Sequence, residues 1–398
     1  MLYIRRFFTR IFPSDPTFGQ IGSIDLNIFL AQAAGLPLFG MRNESLAMKI
    51  FFSFYGIPTV ILITMCYTLF ELQELVFSKD LEDVIQCSSL SLSHVAVVIK
   101  IYNLFYRLPD IQKVINKLRA LTKEYVRSND QNGEFENKLP LTIYALLLGF
   151  TAILAMIMLL RDPKSVAYRY PYRVQLPSFL PQQIQILYMG LSVLVIALQV
   201  VATDYLSVIL INQLRIHLKI LILSFNELIN EGQKGSVGIP TLDQNIHLKS
   251  IIAHHCSLIE LRHEVEDIFR LPILIQFLTS FAIFALSGFQ ATVSTGNTNI
   301  TILAYFYCGC ILCELFLYCW CGNDVFEQSK EVSTSGYGVS WYKYDQRFQK
   351  SLIIFLANAQ RPFVFTAGGF MNLSLPSFAG IITKSYSLIA LLRQVYGR

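Results

Sequence analysis

Residues 372–396, NLSLPSFAGIITKSYSLIALLRQVY, carry an ammonium in the middle of an apolar stretch long enough to cross a bilayer core. A charge at that depth costs several kcal/mol unless it meets water or a partner, so Lys384 is expected to face one or the other. At helical spacing Lys384 shares a face with Ser387, Leu388, Leu391 and Gln394, while Ile381, Ile382, Ile389, Ala390 and Leu392 occupy the other sides. A face that is wet at one end and closes on leucine has the chemistry of a hydrophobic gate, because a narrow apolar constriction dewets. Packing between helices is the plain alternative for Leu391.

A second ionisable side chain, His94, lies in another apolar block with Ser88 and Ser91 nearby. It is expected either to be a satisfied packing residue or to form the polar end of a ligand pocket. His254, His255 and His263 lie in HHCSLIELRHEVED, which has neither the H-E-x-x-H spacing nor a convincing ligand set, so they read as packed or solvated histidines. Five cysteines (308, 310, 313, 319 and 321) crowd one apolar block and read as helix-packing residues. No phosphate loop, nucleophile elbow or dinucleotide fingerprint occurs, and no enzyme activity, cofactor, metal or nucleic-acid partner is expected.

These residues must be positioned by membrane helices. Of 398 residues, 54% are hydrophobic and 15% charged, against about 25% charged in soluble domains. The apolar residues gather in blocks of about 20, the length a helix needs to satisfy its own backbone across lipid. An all-α polytopic membrane protein follows, with seven spans near 46–70, 83–106, 139–160, 184–213, 271–292, 300–321 and a last region from about 348. That last region divides into a helix in DQRFQKSLIIFLANAQ, a break around RPFVFTAGG, and a helix capped by Asn372 or Ser374 with Pro376 in its first turn.

With the N-terminus cytoplasmic and the C-terminus extracellular, the inner segments hold 22 Lys or Arg against 7 outside, which favours that orientation. It is opposite to that of a G-protein-coupled receptor. The chain then divides into an N-terminal cytoplasmic segment (1–45), helices 1–4 (46–213), a cytoplasmic helical region (214–270), helices 5 and 6 (271–321), and a further cytoplasmic helix with helix 7 (322–398). PDIQKVINKLRALTKEYV is amphipathic and reads as a stalk continuing span two. The long helices around residues 211–229 and 245–272 cannot bury their apolar stripes in lipid and must pack on each other or on another subunit.

The carboxyl end resembles the closing signature of insect odorant receptors, in the order T-A-G (366–368), L-S-L (373–375), Phe378 and K-S-Y-S (384–387). LKSIIAHHCSLIELRHEVEDIFRLPILIQF is similar to that family's helix leading into span five. The resemblance implies a tuning subunit of an odorant-gated cation channel, a heterotetramer with the odorant co-receptor in the plasma membrane, in which helices 1–4 (46–213) form the ligand-binding bundle, the cytoplasmic helices of 214–270 and the start of 322–398 an anchor, and helix 7 lines the pore. A small volatile organic molecule is the implied ligand, and membrane lipid surrounds the assembly. The short second cytoplasmic loop departs from the co-receptor itself.

Comparison with the family's last helix puts Leu391 at the gate and Gln394 at a pore glutamine. The pocket implied in the outer half of the bundle takes its candidates by elimination: Cys87, Ser88, Ser91, His94 and Val95; Phe150, Leu154 and Ile157; Leu187, Tyr188 and Leu191; Tyr305 and Phe306. Two other readings are a gustatory-receptor-like homomeric channel and a secondary transporter. The first is disfavoured by the missing Phe after Gln394, and the second by the absence of an internal repeat.

Overall fold

The computed structural model describes residues 54–78, 81–125, 181–234, 242–293 and 298–396, with scattered positions within 24–36 and at 146, 149 and 153. Six helices among the described residues are long and apolar enough to cross a membrane. We number the helices α1 (Phe54–Phe77), α2 (Leu81–Tyr106), α3 (Leu108–Tyr125), α4 (Gln182–Lys234), α5 (Leu242–Val293), α6 (Thr298–Tyr337), α7 (Gln346–Ala359) and α8 (Leu375–Tyr396). The strands β1 (Thr366–Ala367) and β2 (Met371–Asn372) form an antiparallel hairpin before α8. The expected third span, 139–160, lies outside the described residues except at three positions.

The 53 residues of α4 run about 80 Å, well over twice the hydrocarbon thickness of a bilayer. The proposed boundaries at 213/214, 270/271 and 321/322 therefore fall inside continuous helices rather than at breaks. Below the spans, Leu214, Leu218, Leu221 and Phe225 of α4 are buried in one core with Leu248, Ile251, Leu258 and Leu261 of α5. The extensions thus pack on each other.

The stalk reading of residues 108–125 is corrected. The helix breaks at Arg107, where Pro109 lacks the N–H that would bond one turn back, and α3 begins anew. Its apolar stripe, Ile111, Val114, Ile115 and Leu118, is at most 1% exposed. Lys113 and Lys117 on its flank meet Glu264 of α5 at 2.9 and 2.8 Å. Burial of the stripe holds α3 against the subunit.

Pro272 lies inside α5 and leaves the carbonyl of Ile268 without its helical donor. Asn103 of α2 supplies one, its Nδ2 donating to that oxygen at 3.1 Å. The segment leading into and through β1 then runs along one stripe of α5. Arg262 donates to the Val364 carbonyl at 2.7 Å, Thr366 to Glu266 at 2.6 Å, and the Gly368 amide to the Arg270 carbonyl at 2.9 Å. Four helical residues advance about 6 Å and two extended residues about 6.6 Å, so the two periods match over these three contacts. Gly368 has φ +65°, and a Cβ there would lie 2.7 Å from Leu274, so glycine is required. The hairpin is where the sequence reads only a break.

Ser374, not Asn372, caps α8, its Oγ accepting from the Ser377 amide at 3.3 Å.

Candidate functional site

Polar side chains from four helices, α1, α2, α4 and α6, meet inside the bundle in a column. Thr64 of α1 donates to Gln199 of α4 at 2.7 Å, and Gln199 donates to the Ala34 carbonyl at 3.0 Å. Thr64 lies in a π-helical stretch, Thr59–Met65, that starts after Pro58. Wide turns of this kind recur at functional sites. One to two turns further along α1, Glu71 Oε2 meets His94 Nδ1 of α2 at 2.6 Å, with side chains 5% and 11% exposed. Tyr67 packs its ring 5.8 Å from His94 and 6.3 Å from Tyr188. The Tyr188 hydroxyl donates to the Leu62 carbonyl at 2.7 Å.

Six residues along α2, about 9 Å deeper, Lys100 bridges two carboxylates. Its Nζ stands 2.5 Å from Asp204 Oδ1 of α4 and 3.0 Å from Glu314 Oε1 of α6, and all three side chains are at most 4% exposed. Tyr318 donates to Asp204 at 3.0 Å. The cluster ties three helices at membrane depth, where an uncompensated charge is prohibitive. A narrow crevice, too small for more than about one water, reaches Lys100 between Asn103, Thr203, Ser207, Phe269 and Pro272.

Beyond the spans, Arg215 pairs with Asp324 at 3.3 Å, and His217 contacts His254 at 3.1 Å. Tyr125 stacks on His254 at 4.0 Å, and His255 is flanked by Phe355 and Phe363. Burial pushes His217 down to about 4, His254 to about 3 and His255 to about 4, with His217 and His255 further lowering His254. His263 is exposed, and no group able to hold a metal occurs among the described residues. None of the eight cysteines forms a disulfide, and Cys87, Cys310, Cys319 and Cys321 are buried.

Helix α8 contrasts with this interior. Ser385 donates to the Phe281 carbonyl at 3.4 Å, and Ile389 packs so close to Gly288 that a Cβ there would lie 2.2 Å from its side-chain end and push it aside. Ile381 is buried and Phe378 packs edge-on against Phe316, yet only 11% of the α8 apolar window is buried, against 28–56% in the other candidate spans.

The family model described as 7tm Odorant receptor matches residues 80–386. This chain belongs to that family. It is 30% identical over 149 residues to the putative odorant receptor 85d of Drosophila melanogaster, 37% of this chain and 36% of that protein. With odorant receptor 85b of the same organism it shares 26% identity over 196 residues, 49% of this chain and 48% of the relative. These matches thus span less than half the length of either curated relative. In fold it is similar to the insect olfactory receptor OR5 from Machilis hrabei in complex with eugenol, with a TM-score of 0.79 and 14% identity, covering 94% of this chain and 97% of that one.

Against this multi-pass fold the expected site residues separate into groups. Cys87, Ser91 and His94 are buried on α2, with Ser88 and Val95 half-buried beside them, and Tyr188 joins them from α4. Phe150, Leu154 and Ile157 lie outside the described residues. Leu187, Leu191 and Tyr305 are 69%, 46% and 61% exposed, and Phe306 36%, so these four lie on the surface of the single subunit rather than with the buried group. The inward stripe of α4 is Tyr188, Ser192, Val195 and Gln199, which turns Leu187 and Leu191 outward.

On α8, Lys384, Ser387, Leu391 and Gln394 share an exposed face, while Leu388 leans toward the subunit and is half-buried. Tyr67, Glu71, Lys100, Gln199, Asp204, Glu314 and Tyr318 complete the column and escape the sequence reading. Their signal was an ionisable or amide group within an apolar block, which marks a buried polar site.

Proposed function

We propose that this chain is an odorant receptor, the ligand-binding subunit of a heteromeric non-selective cation channel formed with the odorant co-receptor in the plasma membrane. The N-terminus is cytoplasmic, and the extensions of α4, α5 and α6 with α7 form the anchor. The observation that carries the reading is α8, an apolar span that its own subunit leaves largely uncovered along the Lys384–Leu391–Gln394 face. A polar and leucine-bearing face of that kind suits a central water-filled path shared with other subunits.

The odorant binds between the outer halves of α1, α2, α4 and α6, around Tyr67, Ser91, His94 and Tyr188. The similarity to a fold solved with eugenol supports a small organic ligand. Apolar contact stabilises by about 25 cal/mol per Å², so a small molecule contributes a few kcal/mol, enough to bias a nearly balanced gate if it binds the open arrangement better. The contacts of the β1 segment with α5 give movement at the Pro272 break a route to α8. Lys384 stands about 10 Å from Leu391 along α8, on the cytoplasmic side of the gate.

The test is recording from cells that express this chain with and without the co-receptor under an odorant panel. Odorant-evoked cation current only in the paired cells is expected. Current from this chain alone favours a homomeric channel, and none in either case removes the channel reading.

A further inference from the structure

The Glu71–His94 contact has a chemical consequence for what the bundle admits. The proton of the 2.6 Å contact lies between Glu71 Oε2 and His94 Nδ1, on whichever of the two holds it. Oε1 is thereby left as an acceptor, a carboxylate oxygen in one state and a carbonyl oxygen in the other. It is buried and has no hydrogen-bond partner among the described residues. Ser91, 2% exposed and nearly one turn from His94 on α2, likewise leaves its hydroxyl unbonded. Buried polar groups are nearly always satisfied, and two unsatisfied ones flanking one histidine mark a place for a missing partner. The Tyr67 and Tyr188 rings supply apolar area around it.

We infer that Glu71 and Ser91 form the polar end of a ligand site that selects small molecules carrying an O–H donor, alcohols and phenols, over ethers, esters and ketones of the same shape. The inference rests on the odorant-receptor reading above and names the ligand class of that site. A hydroxyl donates to Glu71 Oε1 and accepts from Ser91 Oγ, matching one acceptor and one donor at once. An ether or ketone brings only an acceptor, faces the carboxyl oxygen with like polarity, and leaves it buried without a bond.

The experiment applies a panel of aliphatic and aromatic alcohols and phenols, each with its methyl ether, to cells expressing this chain with the co-receptor. Alcohols and phenols are expected to act at concentrations roughly ten- to a hundredfold lower than their ethers. Glu71→Leu should bring the two within about threefold, and Ser91→Ala should narrow the gap less. Surface labelling accompanies each variant, and if Glu71→Leu does not reach the surface, the wild-type ratio and Ser91→Ala decide. Equal wild-type potency, or an undiminished preference in a surface-expressed Glu71→Leu receptor, overturns the inference. Currents evoked by ethers or esters alone overturn it while leaving the receptor reading intact. Silence to the whole panel and to every other odorant removes both.

Discussion

Lys100 and Lys384 are the same residue at membrane depth in two regions of one subunit, and their surroundings differ completely. Lys100 is sealed among α2, α4 and α6, with Asp204 at 2.5 Å and Glu314 at 3.0 Å. Lys384 stands exposed on α8, in no ion pair with a carboxylate among the described residues. The interior lysine holds helices together through charge compensation, whereas the exposed one requires water or another subunit. An intramembrane charge thus marks a constrained position, but its neighbours decide whether it is compensated inside the subunit or left for water or another chain.

The largest effect in this comparison belongs to Lys100→Met, which strands two carboxylates in the bundle. It should destabilise the subunit by about 3–5 kcal/mol, read as lost surface expression and a lower Tm in detergent. Adding Asp204→Asn and Glu314→Gln should restore much of the loss. A single variant as stable as wild type breaks the contrast. In the cytoplasmic core, Leu118→Ala should cost about 2–4 kcal/mol because α3 packs against the subunit, and a Tm shift near zero would restore the stalk reading.

The buried histidines sharpen the contrast from the other side. Their folded-state values lie below the ordinary 6.5, so the unfolded chain binds more protons as pH falls. For His217 and His255 the expected stability is flat above pH 6.5, declines below it, and levels off near pH 4. At pH 5 the loss is about 1–2 kcal/mol for each of His217 and His255, measured by thermal unfolding across pH.

On α8 the expected effects move from folding to current. Leu391→Ser should raise ligand-free current, a shift of about tenfold in the open-to-closed ratio, with Tm unchanged. Lys384→Met should alter conductance or rectification while changing stability by less than about 0.5 kcal/mol. If it instead unfolds the subunit, Lys384 has a partner like that of Lys100 and the contrast collapses.

Much of the fold is legible in the order of the residues alone. Blocks of about 20 apolar residues fix membrane helices because lipid offers no hydrogen bonds to an unpaired backbone. The 3.6-residue period places Lys384 and Leu391 on one face, and that face is exposed. The pocket is less legible because α4 is apolar nearly all round. Nothing in its sequence alone separates Tyr188, which faces inward, from Leu187, which does not.

By itself, then, the sequence determined that this is a helical multi-pass membrane protein of the odorant receptor type, with a charge-bearing last span. Local physics sets those features: hydropathy, period, caps and an ordered closing motif. Only the tertiary structure decided that Lys100, Asp204 and Glu314 meet, although 104 and 214 residues separate the lysine from its two partners. It also decided that Asn103 covers the carbonyl freed by Pro272 and that Glu71 reaches His94. Such pairings depend on which helix faces which. That depends on packing apolar stripes around a common core, and the chain's local pattern does not contain it.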